Sequence, residues 1–237
     1  MNTRSGRLGV GIIGAGNVGP VLGAALAGAG HAIVGVAAVS ERNRERARAM
    51  LRDVPILEIP DLIERSELVI IAIPSAEISS LVAGLAATNA WQPGQLVLHT
   101  APDLGYGVLA PAVAQGVIPL AIHPAMAFTG TTIDLVRLRE SYCAVTAPTP
   151  VLPIGQALVV EMGAEPVIVA EADRPAYAEA VATATSFSTA IVGQAVSLLS
   201  GIGVESPGAV LGPLVRASVE NALHAATAAG PLEYLGP

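Results

Sequence analysis

The chain contains no lysine; all twelve of its basic residues are arginine. That absence excludes a Schiff-base lysine, a lysine general base and the lysine of a P-loop. A single cysteine, Cys143, excludes an internal disulfide and any multi-cysteine metal site. A reducing, cytoplasmic compartment is therefore the expectation. No set of His, Asp and Glu residues has the spacing of metal ligands, so no metal is expected. Charge is scarce at 13% and aromatics scarcer at 3%. Acids outnumber bases by 19 to 12, a formal charge of −7, which argues against nucleic acid as a partner.

Apolar residues are abundant, at 52% of 237. That is enough to bury a core in one large domain, or in a medium domain plus a smaller one. The N-terminus imitates a membrane segment, because Arg4 and Arg7 precede an uncharged run from Leu8 to Gly30. Glycine recurs through that run from Gly9 onward, each one costing a helix roughly 1 kcal/mol relative to alanine. The run resolves better into a buried strand over 7–13 and an Ala-rich helix from Asn17 or Val18 to about Ala29. Elsewhere no apolar run approaches the ~18 residues a span requires, so a soluble chain without a membrane partner is expected.

Strands are predicted over 32–39, 68–73, 95–99, 117–122, 142–146 and 166–169. A short one over 54–57 is placed at an edge by Pro55. Helices fall over 41–51, 78–87 and 153–162. Leu68 to Ile73 is continuously apolar, the mark of a strand buried on both faces of a parallel sheet. From Asp173 the pattern is helical only. Tyr177, Val181 and Ala184 form one stripe, and Phe187, Ile191, Ala195, Leu198 and Ile202 another. Ser206-Pro207 and Gly212-Pro213 are start signals and Gly230-Pro231 a stop. The expected architecture is α/β: a doubly wound (Rossmann), mostly parallel sheet over 1–170, then a small all-helical domain over 171–237. The long, Ala-rich, nearly uncharged helix of that domain predicts a homodimer.

Gly14-Ala15-Gly16-Asn17-Val18-Gly19 fits G-x-G-x-x-G between a strand and a helix, the setting of a dinucleotide-binding turn. Gly14 permits the turn, and Gly16, Asn17 and Val18 offer backbone amides to a pyrophosphate. Gly19 seats the helix on the sheet. A glycine-rich packing turn is the alternative. After the second strand, an NAD site carries an acid for the ribose hydroxyls. Here Ser40 stands there, followed by Glu41 and Arg42. A hydroxyl and the nearby guanidinium groups of Arg42 and Arg44 suit the 2′-phosphate of NADP; the alternative is that both arginines are a solvated helix face and Glu41 serves NAD, the lesser choice.

Three segments reach the carboxyl rim of the sheet: Ile73-Pro74-Ser75, His99-Thr100-Ala101-Pro102 and His123-Pro124-Ala125-Met126. Ile73 and Pro74 are expected beside the cofactor; His99, Thr100 and His123 are the catalytic candidates. Reducing a carbonyl or imine needs a proton as well as a hydride. An imidazole with an ordinary pKa near ~6.5 would supply it at neutral pH. Either histidine could instead be a hydrogen-bonded structural residue. His31 and His224 read as structural, and Cys143 as packing.

These residues resemble the 6-phosphogluconate dehydrogenase-like superfamily. Within it the chain is most similar to an uncharacterised bacterial family of Rossmann-like NADP oxidoreductases with a C-terminal helical domain of unknown function. The likeness rests on residues 14–19, His99-Thr100, His123-Pro124-Ala125-Met126 with Phe128-Thr129-Gly130, and Leu211-Gly212-Pro213-Leu214. It implies a Rossmann domain, a dimerising helical domain and NADP-dependent reduction of a small molecule. Prephenate dehydrogenase, a more distant likeness, has a His-Pro in which the histidine assists hydride transfer, and His123 takes that role by similarity. The departures are Pro74-Ser75-Ala76 for Pro-Asp-Asp, Ala101-Pro102 for Ser-Gly, and Ser186-Phe187 for Asn-His. They imply a more apolar substrate, or a cofactor-binding protein that has lost hydride transfer and serves as a non-redox enzyme, sensor or scaffold.

Overall fold

The computed structural model describes residues 7–228, so Arg4 and the Gly230-Pro231 stop lie outside the described residues. In chain order the elements are β1 Gly9–Ile13, α1 Gly19–Gly28, β2 Ala32–Ala37, α2 Glu41–Met50 and α3 Ile59–Glu64. Next come β3 Leu68–Ile71, α4 Ser75–Ala87, β4 Leu96–His99, α5 Ala110–Val113 and β5 Ile118–Pro124. Then follow α6 Ile133–Leu138, β6 Tyr142–Thr146, α7 Leu152–Glu161, β7 Glu165–Ile168, α8 Arg174–Gly201 and α9 Pro207–Ala228.

The strands form one sheet in the order β2-β1-β3-β4-β5-β6-β7. Strand period two divides its apolar side chains between two cores. Val10, Ile12, Leu68, Ile70, Leu96 and Leu98 face one way, toward Leu22 and Leu26 of α1 and Leu158 and Val159 of α7. Val69, Ile71 and Val97 face the other way, toward Leu62 of α3 and Ile78 and Val82 of α4. Having helices on both faces is why Leu68–Ile71 is apolar at every position and wholly buried.

Neighbouring strands run parallel except β5 and β6, which pair antiparallel from Ala121↔Thr146 to Pro124↔Cys143. The sequence pattern gave no sign of this reversal, because both strands are buried and neither direction changes that. No strand forms over 54–57. That segment makes a bridge from Ile56 to Val36 and lies along the edge of β2, with the Val36 amide donating to Pro55 and the Leu57 amide to Val36, both at 3.0 Å. Helices α3, α5 and α6, of four to six residues, were not anticipated. Pro213 lies inside α9 instead of starting a helix. Ser206 has already begun it, accepting from the Ala209 amide at 3.0 Å, so Pro213 costs only one later helix bond.

The chain divides into two compact units, Met1–Glu179 and Ala180–Pro237, a division inside α8. The first turn of α8 belongs with the sheet because Arg174 is fully buried there. In the second unit Phe187, Ile191 and Leu198 of α8, Ile202 just after it, and Val210 and Leu214 of α9 are 60–77% exposed. The run Leu8 to Gly30 splits into β1, α1 and their turn and spans nothing. By contrast, Glu171–Gly201 is, among the described residues, long and apolar enough to cross a membrane by length and composition, at a mean hydropathy of 1.2. This corrects the expectation that no later run reaches spanning length; alanines and scattered aliphatics raise its average without an unbroken apolar stretch.

One buried carboxylate holds the segment after β5. Asp134, 0% exposed, accepts hydrogen bonds from the Thr129 and Gly130 amides at 2.8 Å and from Thr129 Oγ1 at 3.0 Å. Burial would raise its pKa, but the bonds from Gly130 and Thr129 outweigh it and hold the carboxyl below its ordinary 3.8. Asp134→Ala leaves buried amides unsatisfied and should destabilise the fold by about 1–3 kcal/mol in denaturant titrations near neutral pH. Because the folded carboxyl is the stronger acid, its contribution is present above the ordinary value and is lost as pH falls through the folded one. The gap between wild type and variant should therefore close in strong acid; a gap that persists unchanged there would contradict this.

Candidate functional site

Strand order reverses between β2 and β3 on either side of β1, so the crevice of a doubly wound sheet opens at the carboxyl end of β1. The chain leaves β1 through Gly14, whose φ of +99° is left-handed and whose amide donates to Ala37 at 3.0 Å. A side chain there would strike the Ala72 carbonyl, and one at Gly19 would strike the Gly14 carbonyl. Gly16 faces open space, with no atom within 4 Å of a hypothetical Cβ. The loop is thus pinned on its inner side and bare on its outer side, where the amides opening α1 are available to an anion.

Beside it lies a cleft of about 910 Å³ whose lining includes Gly14, Gly16, Val39, Asn43, Arg44 and Glu58. The guanidinium in this lining belongs to Arg44. Arg42, the expected contact, is exposed and absent from the lining, because it starts the outer face of α2. Ser40 caps α2, its Oγ accepting from the Asn43 amide at 3.3 Å. Glu41 is bound to Arg48 at 2.9 Å and Arg44 at 3.3 Å, and these bonds lower its pKa. A carboxylate so occupied is poorly placed to serve as the ribose acid.

A second cavity, of about 450 Å³, shares Ala72, Ile73 and Pro74 with the first. Asn17, Val18, Thr100, His123, Met126 and Phe128 are among its other walls. The segment after β5 is tied over the glycine loop by a bond from Asn17 Nδ2 to the Phe128 carbonyl at 3.2 Å. Of the expected residues, the structure thus brings Gly14, Gly16, Asn17, Val18, Ile73, Pro74, Thr100 and His123 to one crevice, with Gly19 beneath it.

His99 is not in either lining. It is 0% exposed, its Nε2 donating to the Gly105 carbonyl at 2.9 Å while its Nδ1 accepts from the Ala101 amide at 3.3 Å. Burial, with the charge of Arg174 adding to it, pushes its pKa down to about 4. Both nitrogens therefore serve the loop after β4. The same loop is held by Ser75 Oγ donating to Asp103 at 2.7 Å and by Glu171 accepting from the Tyr106 and Gly107 amides at 2.9 Å.

His123 turns its Nδ1 to the Tyr177 hydroxyl at 2.8 Å, with the rings edge-on at 76°. Burial, then the Arg174 charge, brings its pKa to about 4 as well. This corrects the expected acid: at neutral pH the ring is imidazole, because a half-buried site beside a fixed cation disfavours a second positive charge. Arg174, 0% exposed, donates Nε to Thr146 Oγ1 at 2.7 Å and its terminal nitrogens to the Ala121, Ala144 and Ala101 carbonyls at 2.8, 3.1 and 3.4 Å. Its Cζ stands 5.8 Å from the Tyr177 ring centroid.

Sequence reasoning missed this pair, reading Tyr177 as a packing stripe. A signal existed, since Arg174 is the only Lys or Arg between Arg139 and Arg216 and opens a helix whose one other charged residue is Glu179. The remaining candidates sit apart from the crevice. His31 accepts from the Leu8 amide at 3.2 Å and contacts Glu161 at 2.8 Å. Cys143 is buried, its thiol pushed up to about 12, and His224 is exposed on α9. Among the described residues no group of three or more His, Cys, Asp or Glu could hold a metal ion.

Solved structures share this fold. A Bacteroides fragilis protein provisionally named NADP oxidoreductase matches 91% of the chain and 80% of its own length, at 19% identity and a TM-score of 0.74. The 1-pyrroline-5-carboxylate reductase of Streptococcus pyogenes matches 91% and 79%, at 17% identity and 0.67. An imine reductase from a Pseudomonas species matches 93% and 76%, at 15% identity and 0.65. Among curated proteins none matches the sequence. The Rossmann-like domain model matches residues 1–124, and the Domain of unknown function (DUF2520) matches 141–233. A dinucleotide-type glycine loop, a parallel sheet wound from β1 in both directions and a helical C-terminus are thus the features of a chain that belongs to the Rossmann-like family, with a DUF2520 domain following.

Proposed function

We propose that this protein is an NADP-dependent oxidoreductase that reduces a carbonyl or imine in a small molecule. The observation that carries the reading is the wall Ala72-Ile73-Pro74, common to the cleft at the glycine loop and to the cavity holding His123. A dinucleotide long enough to reach from one to the other would place its two ends in chemically different surroundings. The amides after Gly14, with Gly16 and Gly19, would hold the pyrophosphate. Arg44, with Ser40 and Arg42 near it, would hold the 2′-phosphate, and Ile73 and Pro74 would flank the nicotinamide. The open outer side of Gly16 and the occupied Glu41 carboxylate fit this group. When bound, the reduced cofactor supplies the hydride.

The chain's own part is to exclude water and deliver a proton. Met126, Phe128 and Pro102 give the cavity an apolar lining, and His123 presents it with a neutral imidazole. With Nδ1 engaged by Tyr177, Nε2 is the nitrogen left to donate toward a substrate oxygen or nitrogen. Thr100 lines the same cavity and is placed to hold that atom. The named activities of the Streptococcus and Pseudomonas proteins, reduction of a cyclic imine and of imines, agree with this chemistry.

The protein is further proposed to work as a homodimer. The exposed apolar side chains of α8 and α9 are a lasting cost in water, at about 25 cal/mol per Å² of apolar surface, and a second copy presents the same stripe to cover them.

Fluorescence titration should show NADPH binding more tightly than NADH. Arg44→Ala should remove on the order of tenfold to a hundredfold of that preference, the worth of one charge-assisted phosphate contact. Arg42→Ala should remove less. Equal wild-type affinities would overturn the choice of NADP.

His123→Asn should keep NADPH affinity while lowering turnover, over a panel of cyclic imines and keto acids, by roughly 10²–10⁴-fold. Since the neutral ring is the working form, wild-type turnover should show no His123 limb near pH 6.5 and should fall as pH drops through about 4. A variant with full turnover would remove His123 from the reaction. A wild type that binds NADPH yet reduces nothing would favour the non-redox reading.

Sedimentation should give a dimer for the wild type, and Ile191→Glu, which places an unpaired charge on the stripe, should yield monomer. A stable wild-type monomer would contradict the assembly.

A further inference from the structure

Resting on that reading, the reaction draws a proton from a cavity with few polar walls, and a neutral imidazole holds only one. Behind His123 lies a hydroxyl, and behind the hydroxyl a fixed charge. We propose that Tyr177 is the proton reservoir for His123, and that the buried guanidinium of Arg174 is the standing counter-charge for the phenolate left when that reservoir is drawn on. Both are positioning residues that act through the imidazole.

The geometry supports each link. Tyr177 Oη is 2.8 Å from His123 Nδ1, within reach of a shared proton, and the two rings stand edge-on at 76°. The Arg174 carbon stands over the same phenol ring at 5.8 Å from its centroid, within range for a cation and an aromatic face. The hydrogen bonds of Arg174 run to one hydroxyl and three backbone carbonyls, none to a carboxylate. Its hydrogen-bond partners are thus all dipoles, with the Glu171 and Asp103 carboxylates acting on it only at longer range, and no hydrogen-bonded carboxylate stands between it and a phenolate at Tyr177. The other titratable groups in the electrostatic surroundings are Asp103 on the loop after β4, Glu171 just before α8, His99 at the end of β4 and Cys143 in β6. Burial raises the Tyr177 hydroxyl above its ordinary 10.0, and Arg174 works in the opposite direction.

The transfers balance. Reduced nicotinamide, when bound, would supply the substrate carbon with a hydride (two electrons and one proton) and would itself be oxidised. The Nε2–H bond of His123 breaks as its proton joins the substrate oxygen or nitrogen. The Tyr177 O–H bond breaks as its proton passes to Nδ1. His123 ends neutral with the proton on its other nitrogen, Tyr177 ends as phenolate facing Arg174, and a water proton restores the pair after product leaves.

The relay demands that resting His123 carry its proton on Nε2 and accept at Nδ1. Nitrogen-15 spectra of histidine-labelled protein without cofactor, assigned with His123→Asn, read this directly. The Nε2–H form at neutral pH is expected, with Tyr177→Phe relaxing it toward a mixture of tautomers; an Nδ1–H wild type would overturn the relay. Phenolate absorbance during alkaline titration, with the Tyr177→Phe curve subtracted, tests the counter-charge. Arg174→Met should move the Tyr177 midpoint upward by about 1–3 pH units, the usual reach of one nearby charge. Arg174→Lys, which retains the charge, should restore most of it. An unmoved midpoint in folded Arg174→Met, or a midpoint in Arg174→Lys shifted as far above wild type as one nearby charge would account for, removes Arg174 from the role. Should Arg174→Met fail to fold, the wild-type tautomer and the lysine variant still decide. Because none of these readouts needs NADPH, a failure here is distinct from a failure of cofactor binding.

Discussion

Bringing a guanidinium to zero exposure commits the surrounding backbone, because a charge withdrawn from water must be met by oxygens already in place. Arg174 finds them at the loop after β4, on β5 and on β6, three consecutive pieces of the sheet on the side where strand direction reverses. Each charge-assisted bond is worth about 1.5–3 kcal/mol, so the set together offsets a desolvation cost of several kcal/mol. The rim of the sheet, the loop bearing Ala101 and the start of α8 are therefore fixed together. Tyr177, one turn along, inherits its position from that arrangement, and so does the imidazole it touches.

The opposite wall of the crevice is organised by close approach. Gly14 and Gly19 are each packed against a carbonyl, Ala72 and Gly14 respectively, with no room for a methyl group. The segment carrying Met126 and Phe128 is closed over that loop by Asn17 and held from behind by Asp134. Neither wall borrows much from side-chain mobility. The cavity between them is bounded by backbone that dipoles, buried charge and missing side chains have pinned.

How much of this could be read in the sequence follows from range. Leu68–Ile71 and the glycine loop declare themselves locally, one by unbroken apolar character and the other by spacing after a strand. The sheet and the crevice beside β1 follow from them. The bond between His123 and Tyr177 joins residues 54 apart, and no local pattern encodes it. The charge of His123 is likewise illegible locally, because it depends on a guanidinium delivered by a later helix. Helices as short as Ile59–Glu64 carry less than two turns of periodicity and escape a pattern search. Which of Arg42 and Arg44 lines the cleft depends on where α2 turns its faces, which strand-end spacing does not encode.

The two ends of the sheet also bear on how the chain avoids company while it folds. On one side, residues 55–57 already occupy the edge of β2. On the other, β7 is the last strand, and its Glu165 amide and that of Val169 donate inward to Ser141 and Val145. Alternation then points the backbone nitrogen of residue 166 outward, and that residue is proline, which has no hydrogen to give. A strand from another molecule seeking to extend the sheet would find a ladder with a rung removed. A chain that is 52% hydrophobic, with so little charge to keep copies apart, thereby denies aggregation a template at the place where a growing sheet is most open to it.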